Sequence, residues 1–153
     1  MNDKRRVLVT GGAGFIGSHL VDRLLDDGHE VIVLDNLSTG RPGNLAQCND
    51  KRLSVYQVDI TDFDKIESCF KEVEWVFHLA ALADIVPSIQ QPMKYHKANV
   101  DGTVAVLDAA RSNGIKRFMY TASSSCYGIP DELPTPETAS IRPMYPYAVT
   151  KYL

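Results

Sequence analysis

The sequence predicts an α/β protein built on a doubly wound parallel sheet of strand order 3-2-1-4-5. Three observations carry that expectation. Short β-branched runs alternate with amphipathic helical stretches from the start of the chain. A glycine cluster, VTGGAGFIGSH at residues 9–19, joins the first run to the first helical stretch. The connections between later runs are long enough for right-handed crossovers between parallel strands.

Taken in order, RVLVT (residues 6–10) reads as a buried strand ending in glycines. Over 15–27, Ile16, Leu20 and Leu24 recur every fourth residue with Val21 and Leu25 beside them, one apolar helix face closed by Gly28. EVIVL (30–34) is the second strand, and 53–58 is a third with one more exposed face. A short helix starts at Thr61, with Asp62 and Asp64 where the helix dipole favours them. WVFHLA (75–80) is strand four, 100–112 a helix ended by Asn113-Gly114, and KRFMYT (116–121) strand five. Residues 128–146 hold five of the eight prolines and no periodicity, so they form an irregular loop.

Composition excludes several function classes. With 153 residues, 44% hydrophobic and 23% charged, the chain is one domain by size and has the balance of a water-soluble protein. A net charge of 16 − 19 = −3 without a basic run gives no support for a nucleic-acid partner. No apolar run has the length of a membrane span, and MNDKRRVLVTGG lacks the order of a secretory signal. Cys48, Cys69 and Cys126 form no CxxC pair and read as reduced thiols of a cytoplasmic protein. His19, His29, His78 and His96 lack the short spacings of a zinc site, so no metal is expected.

The glycine cluster carries the first chemistry. Residues 12–17 satisfy GxGxxG, and Gly11, Gly14 and Gly17 also satisfy GxxGxxG. Missing side chains let a turn close and a pyrophosphate approach the backbone, while the helix N-terminus at Phe15 and Ile16 meets its charge. Asp35, 18 residues beyond Gly17 at the end of strand two, can accept both hydroxyls of an adenosine ribose and would repel a 2′-phosphate. Asn36, Ser38, Thr39 and Gly40 follow it with no arginine before Arg41, so the expected cofactor is NAD and not NADP. Asp59 and Ile60, beyond strand three, are candidates for the adenine edge, although Asp59 would serve equally to begin a turn. After Leu79, also a candidate contact, Ala80 and Ala81 offer small residues at the end of strand four, for close passage of the dinucleotide or for plain core packing.

The second chemistry lies in YPYAVTKYL at residues 145–153. Tyr147 and Lys151 share one face of a helix at i and i+4. A nearby ammonium favours the phenolate, which would make the tyrosine a usable base. TASSSCYG (121–128) follows strand five and adds hydroxyls at Thr121, Ser123, Ser124 and Ser125 that could meet a substrate alcohol.

TGGAGFIG, LDN, HLAA, NVDGT, SSSCYG and YAVTK, in this order and spacing, resemble the extended short-chain dehydrogenase/reductase family and are similar to its sugar-nucleotide epimerases and dehydratases. The resemblance covers essentially all 153 residues and implies a Rossmann domain with NAD held as a recycled hydride shuttle. It implies Tyr147 as catalytic base, Lys151 as its partner and a ribose ligand, Ser123 as the catalytic hydroxyl, Ser124 and Ser125 as substrate contacts, Thr121 near the nicotinamide, and Asn99 near both the nicotinamide and the helix it anchors. The family's 4,6-dehydratases place Asp-Glu where this chain has Ser124-Ser125, which disfavours water elimination. The implied reaction is 4-epimerisation of a UDP-hexose or UDP-N-acetylhexosamine through a 4-keto sugar. Other readings are a dehydratase, decarboxylase or reductase of sugar nucleotides, or a non-catalytic NAD-binding fragment.

Family members are about twice this length, so residues 1–153 read as the NAD-binding domain cut at the start of the Tyr/Lys helix, with the substrate domain missing. A family-type homodimer is implied for the full-length protein. In this chain residues 143–153 are expected to fray or to lean on a neighbour, leaving it without epimerase activity.

Overall fold

The computed structural model describes residues 4–46, 48 and 50–153, so the first three residues of the N-terminal stretch read above lie outside the description. The chain divides into two compact units: Met1–Ala80 with Gly102–Thr121, and Ala81–Asp101 with Ala122–Leu153. Size alone suggests one domain.

The first unit holds the sheet. Its strands are β1 (Arg6–Thr10), β2 (Glu30–Asp35), β3 (Leu53–Gln57), β4 (Trp75–His78) and β5 (Arg117–Tyr120), all parallel in the order β3-β2-β1-β4-β5. The topology expected from the sequence is the one found. Alternating side chains of β1 and β2 feed two separate cores, as a two-residue repeat requires. Leu8, Ile32, Leu34 and Val76 pack with Phe70 and with Val106 and Ala109 of α5 (Gly102–Ser112). Val7, Val9, Val31 and Val33 pack with Val21, Leu24 and Leu25 of α1 (Phe15–Asp26). The side chains of β1 and β2 in these cores are at most 1% exposed, whereas β3 is an edge strand with Val55 and Tyr56 about half exposed.

Helix ends follow their stop signals. Gly28 lies at φ +91° after α1 and Gly114 at φ +65° after α5, with their amides turned back to Leu25 and Arg111. The first turn of α1 departs from the expected apolar face at Ile16, which is 63% exposed beside Phe15 at 78%. The buried contact there belongs to Gly17, whose closeness to the Gly11–Gly12 backbone leaves no room for a larger residue. The helix expected from Thr61 forms as α2 (Phe63–Ile66), followed by a 3₁₀ turn.

The second unit has no strand among its described residues. It contains α3 (Ile85–Gln90), α4 (Pro92–His96), a π-helical turn (Lys97–Asp101), a 3₁₀ turn (Ser124–Tyr127) and α6 (Pro146–Tyr152). The helix expected from residue 100 is therefore a π turn up to Asp101, with α5 beginning at Gly102. Helices α3 and α4 escape the sequence pattern because each is about one turn long and contains a proline. Residues 128–145 form no helix or strand, and Pro146, expected in the loop, is instead the first residue of α6. No helix among the described residues is long and apolar enough to cross a membrane.

Candidate functional site

In the first unit the glycine turn is held by its own backbone and by Asp35. Gly11 enters at φ +70°, donating to Leu34 O at 2.8 Å, and Gly14 donates back to Gly11 O at 3.1 Å. A Cβ on Gly17 would lie 2.2 Å from Gly11 O, and one on Gly11 2.8 Å from Ala80 N. A Cβ on Gly14 would meet only Gly11 O, at 3.2 Å, and otherwise open space. Two glycines therefore serve packing, and Gly14 leaves the turn open on its outer side. Helix α1 begins there with no capping side chain and no acidic residue in its first turn. Ser18 is the first residue to donate within the helix, to Gly14 O, so the amides of Phe15, Ile16 and Gly17 have no intrahelical acceptor. An open glycine turn and an uncapped helix start fit a diphosphate.

Asp35 is 8% exposed and already committed: Oδ2 accepts from Ala13 N at 2.9 Å and Oδ1 from Leu37 N at 2.8 Å. Each oxygen keeps a second lone pair for a ribose hydroxyl. Sequence reasoning missed this second role, in which the carboxylate ties the glycine turn to the end of β2. It also missed why residue 40 is glycine. A Cβ there would sit 2.9 Å from both Asp35 oxygens and 3.0 Å from Ala13 Cβ. Asn36 turns its amide to Asp59 Oδ2 and accepts from Ser38 N, while Ser38 and Thr39 are exposed.

Other expected contacts are placed differently. Asp59 Oδ1 accepts from the amide and hydroxyl of Thr61, the turn-forming role that the sequence left open. Ile60 has its side chain in the core, where it blocks any Cβ on Gly102 at 2.7 Å, so it offers a ligand only its backbone. Leu79 and Ala80 donate to Thr10 Oγ1, and Thr121 closes β5 with its amide on His78 O.

In the second unit α6 carries Tyr147 and Lys151 at i and i+4. Tyr147 is half-buried and Lys151 is 7% exposed. Burial pushes the Lys151 ammonium down to about 8, with Cys126 acting weakly in the opposite sense. At pH 7 it still keeps its proton.

Fraying or support from a neighbour is the expectation for this end, and the structure gives α6 side-chain partners within its own unit. Asn99 in the π turn donates to Thr150 Oγ1 at 2.9 Å, and Thr150 donates to Tyr147 O at 2.8 Å. The same amide pairs with both backbone groups of Leu82, at 2.8 and 3.0 Å. Asn99 therefore anchors α6. Ala81 is half-buried beside this pairing.

Ser123 accepts from Ser125 N at 3.2 Å, which orients its hydroxyl and leaves its proton to donate. Ser124 is exposed and Ser125 half-buried, and neither brings a carboxylate to the turn.

The family described as "NAD dependent epimerase/dehydratase family" matches residues 7–153. The UDP-glucose 4-epimerase of Mycolicibacterium smegmatis is 45% identical over 150 residues, 95% of this chain and 48% of that protein. Among solved structures, the UDP-N-acetylglucosamine 4-epimerase of Methanobrevibacter ruminantium in complex with UDP-N-acetylmuramic acid superposes with a TM-score of 0.92 at 40% identity, over 97% of this chain and 47% of that one. The UDP-glucose 4-epimerase of Brucella ovis in complex with NAD superposes at 0.89 and 35% identity, over 97% and 45%. The chain spans about half the length of the curated relatives it matches.

Proposed function

The chain belongs to the NAD dependent epimerase/dehydratase family, and on that premise we propose that residues 1–153 are the NAD-binding portion of a UDP-sugar 4-epimerase. The observation that carries the reading is α6, with a half-buried Tyr147 and a buried, protonated Lys151 on one helical face. The glycine turn would hold the pyrophosphate and Asp35 the adenosine ribose, with Asn36, Ser38, Thr39 and Gly40 bordering it. Backbone at Asp59, Ile60, Leu79, Ala80, Ala81 and Thr121 would line the rest of the dinucleotide.

When bound, NAD supplies a reversible hydride acceptor for C4 of the sugar. Tyr147 Oη takes the proton of the sugar 4-hydroxyl and returns it after the 4-keto sugar has turned over. Ser123 donates to the reacting oxygen, Ser124 and Ser125 contact the sugar, and Lys151 binds the nicotinamide ribose and holds positive charge near the phenol. Serines at 124 and 125 supply no acid–base pair for elimination. The full-length protein is read as a homodimer, in keeping with exposed Val104 and Leu107 on α5 and Val149 and Tyr152 on α6. A cytoplasmic site of action accords with three unpaired thiols, of which burial and Asp22 push Cys48 up to about 11.

Calorimetric titration of this chain should give tighter binding of NAD than of NADP, with the gap narrowed in Asp35→Ala. Equal or tighter NADP binding would remove the cofactor assignment. A full-length protein carrying this segment should convert UDP-glucose or UDP-N-acetylglucosamine to its 4-epimer, read by NMR. Accumulation of a 4-keto-6-deoxy sugar would replace epimerisation with dehydration.

A further inference from the structure

Thr10, His78 and Thr103 form a buried hydrogen-bonded row in the first unit that the proposed chemistry does not use. His78 is 1% exposed and Thr10 fully buried. Thr10 Oγ1 lies 2.7 Å from His78 Nδ1, and Thr103 Oγ1 lies 2.9 Å from His78 Nε2. The imidazole stands among Phe118 and Tyr120 of β5, with ring centroids at 6.0 and 5.9 Å.

The proton positions follow from counting. A hydroxyl has one proton to donate and two lone pairs to accept with. Thr10 Oγ1 receives the amide of Ala80 at 3.1 Å and shares that of Leu79 with the Thr10 carbonyl, the Leu79 nitrogen lying 3.2 Å from both Thr10 Oγ1 and Thr10 O, so donors face both lone pairs and the hydroxyl proton goes to His78 Nδ1. An accepting Nδ1 is unprotonated, and a neutral imidazole then carries its proton on Nε2 and donates it to Thr103 Oγ1.

The amides gathered by Thr10 belong to the segment against which Gly11 packs, since a Cβ on Gly11 would fall 2.8 Å from Ala80 N and 2.9 Å from Ala80 Cα. The Thr10 hydroxyl thus staples the end of β4 to the end of β1 where the glycine turn begins.

We propose that His78 is a positioning residue: fixed as the Nε2–H tautomer, it orients the Thr10 hydroxyl so that the Leu79–Ala80 backbone is locked beside the glycine turn. Its consequence for cofactor binding rests on the NAD reading above, because Ala80 is among the residues assigned to the dinucleotide.

The test uses the ¹⁵N-labelled chain without cofactor. Imidazole nitrogen shifts at pH 7.5 should show His78 as the neutral Nε2–H form; an Nδ1–H form or an imidazolium would overturn the proposal. Amide exchange at Ala80 should quicken about tenfold in Thr10→Val and His78→Phe, the effect expected of one lost buried hydrogen bond, with Leu79, which keeps the Thr10 carbonyl as acceptor, changing less and Val33 in β2 unchanged. His78→Asn, whose carboxamide oxygen can stand where Nδ1 accepts, should restore protection to within about threefold of the original. Unchanged exchange in Thr10→Val, or equal loss in His78→Asn and His78→Phe, would also overturn it. NAD titration should rank the variants in the same order. If the unaltered chain takes up no NAD, the cofactor consequence fails, and tautomer and exchange decide the staple by themselves.

Discussion

The two units are held together by different means. In the first, the least exposed residues are mostly apolar strand side chains, among them Val7, Leu8, Val31, Ile32, Val33, Leu34 and Val76. In the second, polar groups make up much of the buried set, with Ser88, Asn99, Thr150 and Lys151 all under 8% exposed, while Ile85, Val86, Ile89 and Met93 are 44 to 79% exposed. A buried aliphatic side chain contributes about 1.5–3 kcal/mol, a net hydrogen bond about 1 kcal/mol. The sheet unit therefore tolerates loss of any one polar contact better than the helical unit does. The second unit depends on a few side-chain hydrogen bonds whose loss would leave buried groups unpaired.

The largest effect should come from the glycine turn. Gly17→Ala puts a methyl 2.2 Å from Gly11 O and 2.8 Å from Gly12 Cα, and backbone cannot yield as a flexible side chain can. Urea unfolding should show a loss of about 3 kcal/mol, at the upper end for an overpacked site. A loss under about 1 kcal/mol would mean that the turn relaxes freely, and the contrast in rigidity would fail.

Asn99→Leu comes next. It leaves Leu82 N, Leu82 O and Thr150 Oγ1 without their partner, a cost of about 2–3 kcal/mol for buried groups left unsatisfied. Hydrogen exchange should quicken at Leu82 and through α6 while amides of β1 and β2 keep their protection. Equal loss in both units would show one cooperative body where two modes of stabilisation are inferred.

Lys151 sharpens the comparison through pH. Its folded value of about 8 lies below the ordinary 10.5, so between those values the unfolded chain binds more protons. Stability should then rise with pH across that window; the contribution is complete above about 10.5 and lost as pH falls through about 8. Lys151→Met should flatten the unfolding free energy between pH 8 and 10.5 relative to the unaltered chain. An unchanged slope would mean that burial of the ammonium is not what depresses it.

The smallest effect separates backbone strain from packing. Gly28 sits at φ +91° with its nearest neighbour for a Cβ at 3.8 Å, on Lys4. Gly28→Ala should cost only the left-handed conformation, about 1 kcal/mol, well below Gly17→Ala. Thermal melts of the two variants side by side would check that order.

Much of the first unit was legible in the residues themselves because its signals are local. A strand run such as RVLVT or EVIVL, a helix closed by glycine, and GxxGxxG between them each announce themselves within a dozen positions. The parallel sheet followed from alternating strand and helix runs joined by right-handed crossovers, and the i, i+4 placement of Tyr147 and Lys151 from helical periodicity. The same reading misjudged Ile16, because apolar spacing cannot tell that the first turn of α1 is occupied on its inner side by Gly17 against Gly11.

Tertiary structure alone decided the rest. Asp35 reaches Ala13 across 22 residues, Asn99 reaches Thr150 across 51, and Thr10 reaches His78 across 68. No periodic pattern records such pairs, since each is one polar side chain whose partner is chosen by how the chain folds back on itself. The sequence by itself determined which residues could accept a phosphate, a ribose or a proton. Which of them are instead bound to their own backbone was set by burial, because a polar group withdrawn from water must find its partner within the protein.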